Sequence, residues 1–231
     1  MGDTCTLIYS GGSDSFTLLH FLLANGYDVH ALTFDYGQRH KKEIGCAQQV
    51  TEKLGIPHVL FPIDLSTLSP FSALTHGQPV PEGHYAHASM TMTVVPNRNM
   101  VLLSLAAAYA LAHGHHSLAY GAHQGDHEIY PDCRPEFILR MGELLRIADW
   151  NALQLLTPFM IWSKKEIYAW GRSNGLDYGQ TWTCYNGRAL ACGRCGSCVE
   201  RLEAFYNLGM DDPLEYEDRD FFRTVTQQAA A

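Results

Sequence analysis

The chain has 231 residues and a mass of 25.8 kDa, the size of one large domain or of one domain with a small appendage. With 46% hydrophobic and 11% aromatic residues it has the material for a core, which excludes intrinsic disorder and collagen-like or coiled-coil character. Sixteen basic against 24 acidic residues leave a net charge of −8, which disfavours long contact with a phosphate backbone and so makes a nucleic-acid partner unlikely. The longest apolar run, Met100 to Ala112, falls short of the ~20 residues that cross a bilayer, and Met1-Gly2-Asp3-Thr4 lacks the basic start of a secretory leader. The expectation is a cytoplasmic protein that does not touch membranes.

In chain order, Thr4 to Ser10 reads as a buried strand and Ser15 to Asn25 as an apolar helix stopped by Gly26. Asp28 to Phe34 is the next strand. Lys41 to Leu54 carries Ile44, Ala47, Val50 and Leu54 at helical spacing and ends at Gly55, and His58 to Ile63 returns as a strand. This βαβαβ order demands a doubly wound α/β fold with a mainly parallel sheet, because parallel strands need crossovers. The connection from Asp64 to Pro96 spans 33 residues with four prolines, too long for an ordinary loop; it reads equally as a lid, an oligomer contact or a surface insertion. Asn97 to His113 is another buried helix, Ser117 to Ala122 another strand and Glu136 to Ala148 another helix. Ser163-Lys164-Lys165-Glu166 is a capping box that opens a helix ending near Gly175. A short helix, Val199 to Asn207, precedes an acidic tail. Three regions are expected: an α/β domain over 1–180, a cysteine knuckle with its helix over 181–210, and the tail over 211–231. Between Asp211 and Arg223 six acidic residues meet two arginines, so this short segment holds half of the net charge.

The first strand runs into Ser10-Gly11-Gly12-Ser13-Asp14-Ser15 and then directly into a helix. In an open parallel sheet ligands bind beyond the carboxyl ends of the strands. Gly11 and Gly12 let backbone N–H groups approach an anion, the serines add hydroxyl donors, and the helix N-terminus adds partial positive charge. The pattern is not a Walker A loop, a dinucleotide fingerprint or a nucleophile elbow. It resembles the pyrophosphate loop of the ATP-pyrophosphatase superfamily, whose members cleave ATP to AMP and pyrophosphate while adenylating a substrate oxygen. Asp14 would position the helix start and reach a Mg²⁺ on the phosphates.

Four of the seven cysteines, Cys184, Cys192, Cys195 and Cys198, are separated by seven, two and two residues. Four thiolates enclose a tetrahedral Zn²⁺ and leave no open position, so the expected metal is structural. A ferredoxin-type cluster would place a further cysteine before a proline, whereas Val199-Glu200-Arg201-Leu202 follows here. Cys5, Cys46 and Cys133 are expected to be small buried hydrophobes. His123 and His127 stand four apart but lack an accompanying carboxylate pattern for a second metal.

Together with these two elements, Phe34-Asp35-Tyr36-Gly37-Gln38-Arg39-His40, Val95-Pro96-Asn97-Arg98-Asn99, Tyr130-Pro131-Asp132-Cys133-Arg134 and Thr183-Cys184-Tyr185-Asn186-Gly187 resemble the 7-cyano-7-deazaguanine synthase family. The resemblance covers about Tyr9 to Arg201. It implies an adenine nucleotide α-hydrolase-like fold with a zinc knuckle, a homodimer, and ATP-dependent conversion of 7-carboxy-7-deazaguanine and ammonia to the nitrile. It also implies that Tyr9, Ser10, Gly11, Gly12, Ser13, Asp14, Ser15, Phe16, Thr17, Leu18, Leu19 and Asp35 form the ATP site. Asp14, Ser15 and Lys164 would act in catalysis, with Lys164 neutralising the departing pyrophosphate or, equally, being a solvated helix-start lysine. Asp132 is a candidate to accept the paired N–H donors of the guanine-like edge, and Arg39, Arg98 or Arg134 to hold the substrate carboxylate. No length remains for a glutaminase domain, so ammonia is expected from solution. Rival readings are a tRNA-thiolating or tRNA-ligating relative, against which the net charge of −8 argues although Arg188, Arg194 and Arg201 around the knuckle keep it open, a relative passing its activated acyl group to another nucleophile, and a zinc-knuckle binding protein.

Overall fold

The strand Thr4–Ile8 (β1) is the centre of a five-stranded parallel sheet in the order β3-β2-β1-β4-β5. On one side it pairs with Asp28–Asp35 (β2), which pairs with His58–Pro62 (β3); on the other it pairs with Ser117–Ala119 (β4) and through it with Gln154–Leu156 (β5). This computed structural model describes residues 3–75 and 77–229; residues 1, 2, 76, 230 and 231, at the two ends of the chain and within the long connection, lie outside the described residues.

Alternation along β1 and β2 divides the core between the two faces of the sheet. Cys5, Leu7, Tyr9, Val29 and Ala31 pack against Ser13–Ala24 (α1), Lys42–Leu54 (α2) and Lys164–Ser173 (α5). On the opposite face Leu32, Phe34 and Leu118 meet Arg98–Ala112 (α3) and Pro135–Ile147 (α4). The near-continuous apolar sequence of α1 reflects this burial, since it lies between the sheet and α5, whereas α3 buries one face on the sheet and exposes Met100, Ser104 and Ala108. The doubly wound α/β fold expected from the βαβαβ order is therefore the observed one.

Two elements lie outside the expectations. β5 has only three residues, too few for a readable period, and it forms because Leu118 and Leu155 stand side by side. The tail carries the helix Phe221–Ala229 (α7), whose Phe222 is buried with Val199 and Leu202 of Gly196–Asn207 (α6). The tail is also not a free acidic strand. Asp212 meets the fully buried Arg201 at 2.6 and 2.9 Å, Glu217 meets Arg188 at 2.8 Å and Asp218 meets Arg194 at 3.2 Å. The arginines that made a basic patch in sequence are thus neutralised by the acidic segment that follows them.

The long connection after β3 clasps the cysteine segment. Gly83 N–H donates to the Arg194 carbonyl at 3.0 Å, Ala73 and Val80 share an apolar cluster with the cysteines, and Met90 and Tyr85 lie against Gly196. Among the described residues no helix is long and apolar enough to cross a membrane.

Candidate active site

At β1 the chain reverses its direction of winding, and the loops after β1 and β4 diverge there, leaving the crevice where open α/β sheets bind ligands. A cavity of about 210 Å³, open to solvent, occupies it. Its floor is Ser10, Gly12, Asp14, Ser15 and Gly121, and its walls include Tyr36, Glu43, Arg98 and Tyr185.

The loop is built for an anion. Gly12 caps α1 with its backbone alone, and among the described residues no side chain caps the first turn, so the N–H groups there remain available together with the positive end of the helix dipole. Ser15 Oγ bonds Ser10 N–H at 3.2 Å and Ser10 Oγ at 3.0 Å, and Ser10 Oγ accepts from Gly12 N–H at 3.1 Å, which fixes the curve of the loop. Gly11 has φ +88°, and a Cβ there would overlap the Glu43 carbonyl oxygen in α2. Gly11→Ala is therefore expected to cost about 2 kcal/mol or more, from left-handed strain plus backbone collision, read as a lowered urea midpoint at unchanged slope.

The remaining residues expected around ATP divide by position. The side chains of Tyr9, Ser13, Phe16, Thr17, Leu18 and Leu19 lie in the core; Ser13 Oγ, for example, accepts from Tyr168 O–H at 2.8 Å. They support the loop from below and do not line the cavity. Asp35 faces a separate shallow depression and is bonded to Lys41 at 2.8 Å.

Lys164 is the first residue of α5, set by the capping box in which Ser163 Oγ accepts from Glu166 N–H and Glu166 Oε2 accepts from Ser163 N–H. It is buried, and its Nζ reaches both oxygens of Asp14 at 2.7 and 2.6 Å and Glu200 Oε2 at 3.3 Å. Burial alone would lower the Lys164 ammonium, but Asp14 and Glu200 hold it well above its ordinary value. Burial alone would raise the Asp14 carboxyl, and Lys164 and His123 overcome this and hold it below the ordinary range. His123, 1% exposed, turns Nε2 toward Asp14, Asp126 and Glu200 at 3.6–4.0 Å, while its Nδ1 accepts from Gly125 N–H. Lys164 is thus a buried, paired cation beside the loop and not a solvated one.

Of the three candidate arginines, only Arg98 lines the cavity; it donates to Asn99 Oδ1 at 3.2 Å and to the Tyr36 hydroxyl oxygen at 3.4 Å and meets no carboxylate within salt-bridge distance among the described residues. Arg39 is exposed and holds the long connection through Gln78 O at 2.7 Å, and Arg134 is exposed and bonded to His127 O at 2.9 Å. Asp132 lies outside the cavity lining, where it caps α3 by accepting Asn99 N–H at 2.9 Å. Sequence reasoning missed Glu43, His40, Tyr185 and Glu200. The first three lie in or beside the motifs around Asp35 and Cys184, and Glu200 follows Cys198 by two positions, yet none carries a spacing signal of its own.

The four cysteines bring their sulfurs within 4.8 Å of one another, all buried, and are the one such group spaced to hold a metal among the described residues. Four bonds of ~2.3 Å to one tetrahedral ion put sulfurs about 3.8 Å apart, and Cys192 and Cys198 are separated by 3.9 Å. Backbone N–H groups of Arg194 and Cys195 donate to Cys192 Sγ, and bonds from Cys184 and the other thiols push the Cys192 thiol down. The donor set fits a closed site for a metal such as zinc. The knuckle is also joined to the cavity. Trp182 N–H donates to Gly11 O at 3.1 Å, and Trp182, Thr183, Tyr185 and Ser197 form one cavity wall. Of the other cysteines, Cys5 and Cys133 are buried and Cys46 is half-buried.

Comparison with known proteins finds a match over residues 4–209 to the family described as Queuosine biosynthesis protein QueC. A 7-cyano-7-deazaguanine synthase from Alteromonas mediterranea is 56% identical over 94% of this chain and 100% of its own length. The protein of the same name from Marinobacter nauticus is 56% identical over 94% and 99%, and that from Methanoregula boonei 54% identical over 91% and 98%. Among solved structures, a predicted subunit of tRNA methyltransferase from Methanocaldococcus jannaschii aligns with TM-score 0.47 at 20% identity, covering 72% of this chain and 73% of that one.

Proposed function

The chain belongs to the QueC family of queuosine biosynthesis proteins, and from this premise we propose that its cavity converts 7-carboxy-7-deazaguanine and ammonia, at the expense of ATP, to 7-cyano-7-deazaguanine. The observation that carries the reading is the N-terminus of α1, free of a side-chain cap, beside the Asp14–Lys164 pair, in a cavity also lined by Arg98, which meets no carboxylate among the described residues.

In the first half-reaction a carboxylate oxygen of the substrate attacks the α-phosphorus, the new P–O bond forms, and the bond to pyrophosphate breaks. Ammonia then displaces AMP from the acyl carbon and gives the amide. In the second half-reaction the amide oxygen attacks a second ATP, pyrophosphate leaves again, and loss of AMP with the amide protons gives the nitrile. The free N–H groups of α1 and the hydroxyls of Ser10 and Ser15 would hold the pyrophosphate, and Lys164 would offset the charge that develops on it. Arg98 would present a guanidinium fork to the substrate carboxylate. ATP would enter as its magnesium complex, and Asp14, Asp126 and Glu200 would offer it the carboxylate lone pairs not already facing Lys164 and His123. Zinc in the closed thiolate site, a cytoplasmic setting and a homodimeric assembly belong to the same reading.

Incubation with 7-carboxy-7-deazaguanine, ATP and magnesium is expected to yield the nitrile mass only when ammonium is added, with AMP as co-product. AMP release that does not depend on the deazapurine, or a product carrying a nucleophile other than ammonia, would contradict the assignment.

A further inference from the structure

Resting on that function, we propose that Glu43 is the residue that reads the guanine-type edge of the substrate and so keeps the deazapurine apart from adenine within one cavity. Glu43 lies in the first turn of α2 and is 9% exposed. Its Oε1 is used twice: Gln38 Nε2 donates to it at 3.2 Å, and His40 Nε2 stands at 3.3 Å. Gln38 is itself locked, since its Oε1 accepts Tyr36 N–H at 2.8 Å and its Nε2 also donates to Phe34 O at 3.1 Å. The carboxylate is therefore oriented through one oxygen, and no hydrogen bond to Oε2 is formed among the described residues.

The surroundings of Glu43 suit a planar heterocycle. Tyr36, His40 and Tyr185 stand around it, with His40 and Tyr185 ring centroids 5.6 Å apart, and all of them line the cavity. Burial pushes the Tyr36 phenol up to about 12, so that it stays a neutral packing surface. His40 is 4% exposed and its Nδ1 has no hydrogen-bond partner among the described residues, a buried polar atom open to something that enters.

The other cavity carboxylates are committed. Both oxygens of Asp14 hold Lys164, and Asp126 faces His123 while its Oδ2 also accepts the His123 N–H. Glu43 meets only Gln38 and His40. An ionised carboxylate accepts and cannot donate. A guanine-type edge offers a ring N–H beside an exocyclic amine, two adjacent donors, whereas the adenine edge offers an amine beside a ring nitrogen that is itself an acceptor. Glu43 thus attracts the first and repels the second.

The test measures binding by calorimetry in the absence of ATP, for 7-carboxy-7-deazaguanine and for its analogue lacking the 2-amino group. The wild-type protein is expected to bind the analogue roughly 10- to 100-fold more weakly, the usual effect of one hydrogen bond to a charged acceptor. Glu43→Gln, with its melting temperature unshifted, is expected to bind 7-carboxy-7-deazaguanine more weakly by a similar factor and to lose the preference between the two ligands. Should Glu43→Gln not fold, Gln38→Ala leaves the carboxylate present but unlocked and is expected to narrow the same ratio. A preference kept intact in a folded Glu43→Gln or Gln38→Ala protein would overturn the role of Glu43 while leaving the synthase reading standing. Failure of the wild-type protein to turn over 7-carboxy-7-deazaguanine at all would overturn both.

Discussion

Lys164→Met is expected to lower deazapurine-dependent AMP release by roughly 10²–10³-fold, the effect seen when one preorganised charge-stabilising group is removed from a reacting centre. Two consequences act together. The cation proposed to offset the leaving pyrophosphate would be lost, and Asp14 and Glu200, which face Lys164 Nζ at 2.6 and 3.3 Å, would be left without that partner. Breaking a buried ion pair by deleting one member costs about 3–5 kcal/mol, and the lower end applies because Asp14 keeps part of its surface open to water. The variant is expected to fold with a reduced denaturant midpoint. Lys164→Arg retains a charge but not the geometry of two short bonds to one carboxylate, so it is expected to recover stability more than rate. AMP formation close to wild type in Lys164→Met would remove Lys164 from the reaction.

The second large effect concerns the cysteines. Cys192→Ser is expected to abolish metal retention and turnover together, because Cys192 accepts two backbone N–H groups and sits beside Cys198 at the centre of the thiol cluster. A structural zinc in a small cysteine site contributes on the order of 10 kcal/mol of binding free energy to the fold it closes. The loss does not stay local. Trp182 is bonded to the phosphate loop at Gly11, Tyr185 and Ser197 line the cavity, and α6 carries Glu200 to Lys164. Elemental analysis of the wild-type protein is expected to find zinc at one ion per chain in a colourless sample. Iron with visible absorbance would contradict the metal assignment, and a metal-free Cys192→Ser protein with full turnover would detach the knuckle from the active site.

The alternation of strands and helices was legible because α1, α2 and α3 each carry a run long enough for a period and a glycine or histidine turn at the end, and the glycine loop marked the sheet edge where the cavity lies. The cysteines were readable for a similar reason, since two-residue gaps hold Cys192, Cys195 and Cys198 close together and Cys184 precedes them by only seven intervening residues. What escaped was set by distance along the chain. Arg201 looks like one of three surface arginines until Asp212 closes on it, and Asp132 looks like a base reader until α3 swings its Asn99 N–H against it. Glu43 is an ordinary helix-start acid in sequence; only the fold puts it between Tyr36 and Tyr185. β5 and α7 escaped for energetic reasons, since a three-residue strand or a nine-residue helix after an acidic stretch gains its stability from neighbours rather than from its own propensity.

The most direct measurement is the ratio of AMP to nitrile in one reaction that contains 7-carboxy-7-deazaguanine, ammonium and excess magnesium ATP. Sequential adenylation of acid and amide in this cavity predicts two AMP for each nitrile, with the amide accumulating when ATP is limiting. One AMP per product, or an amide that is never converted onward, would contradict it.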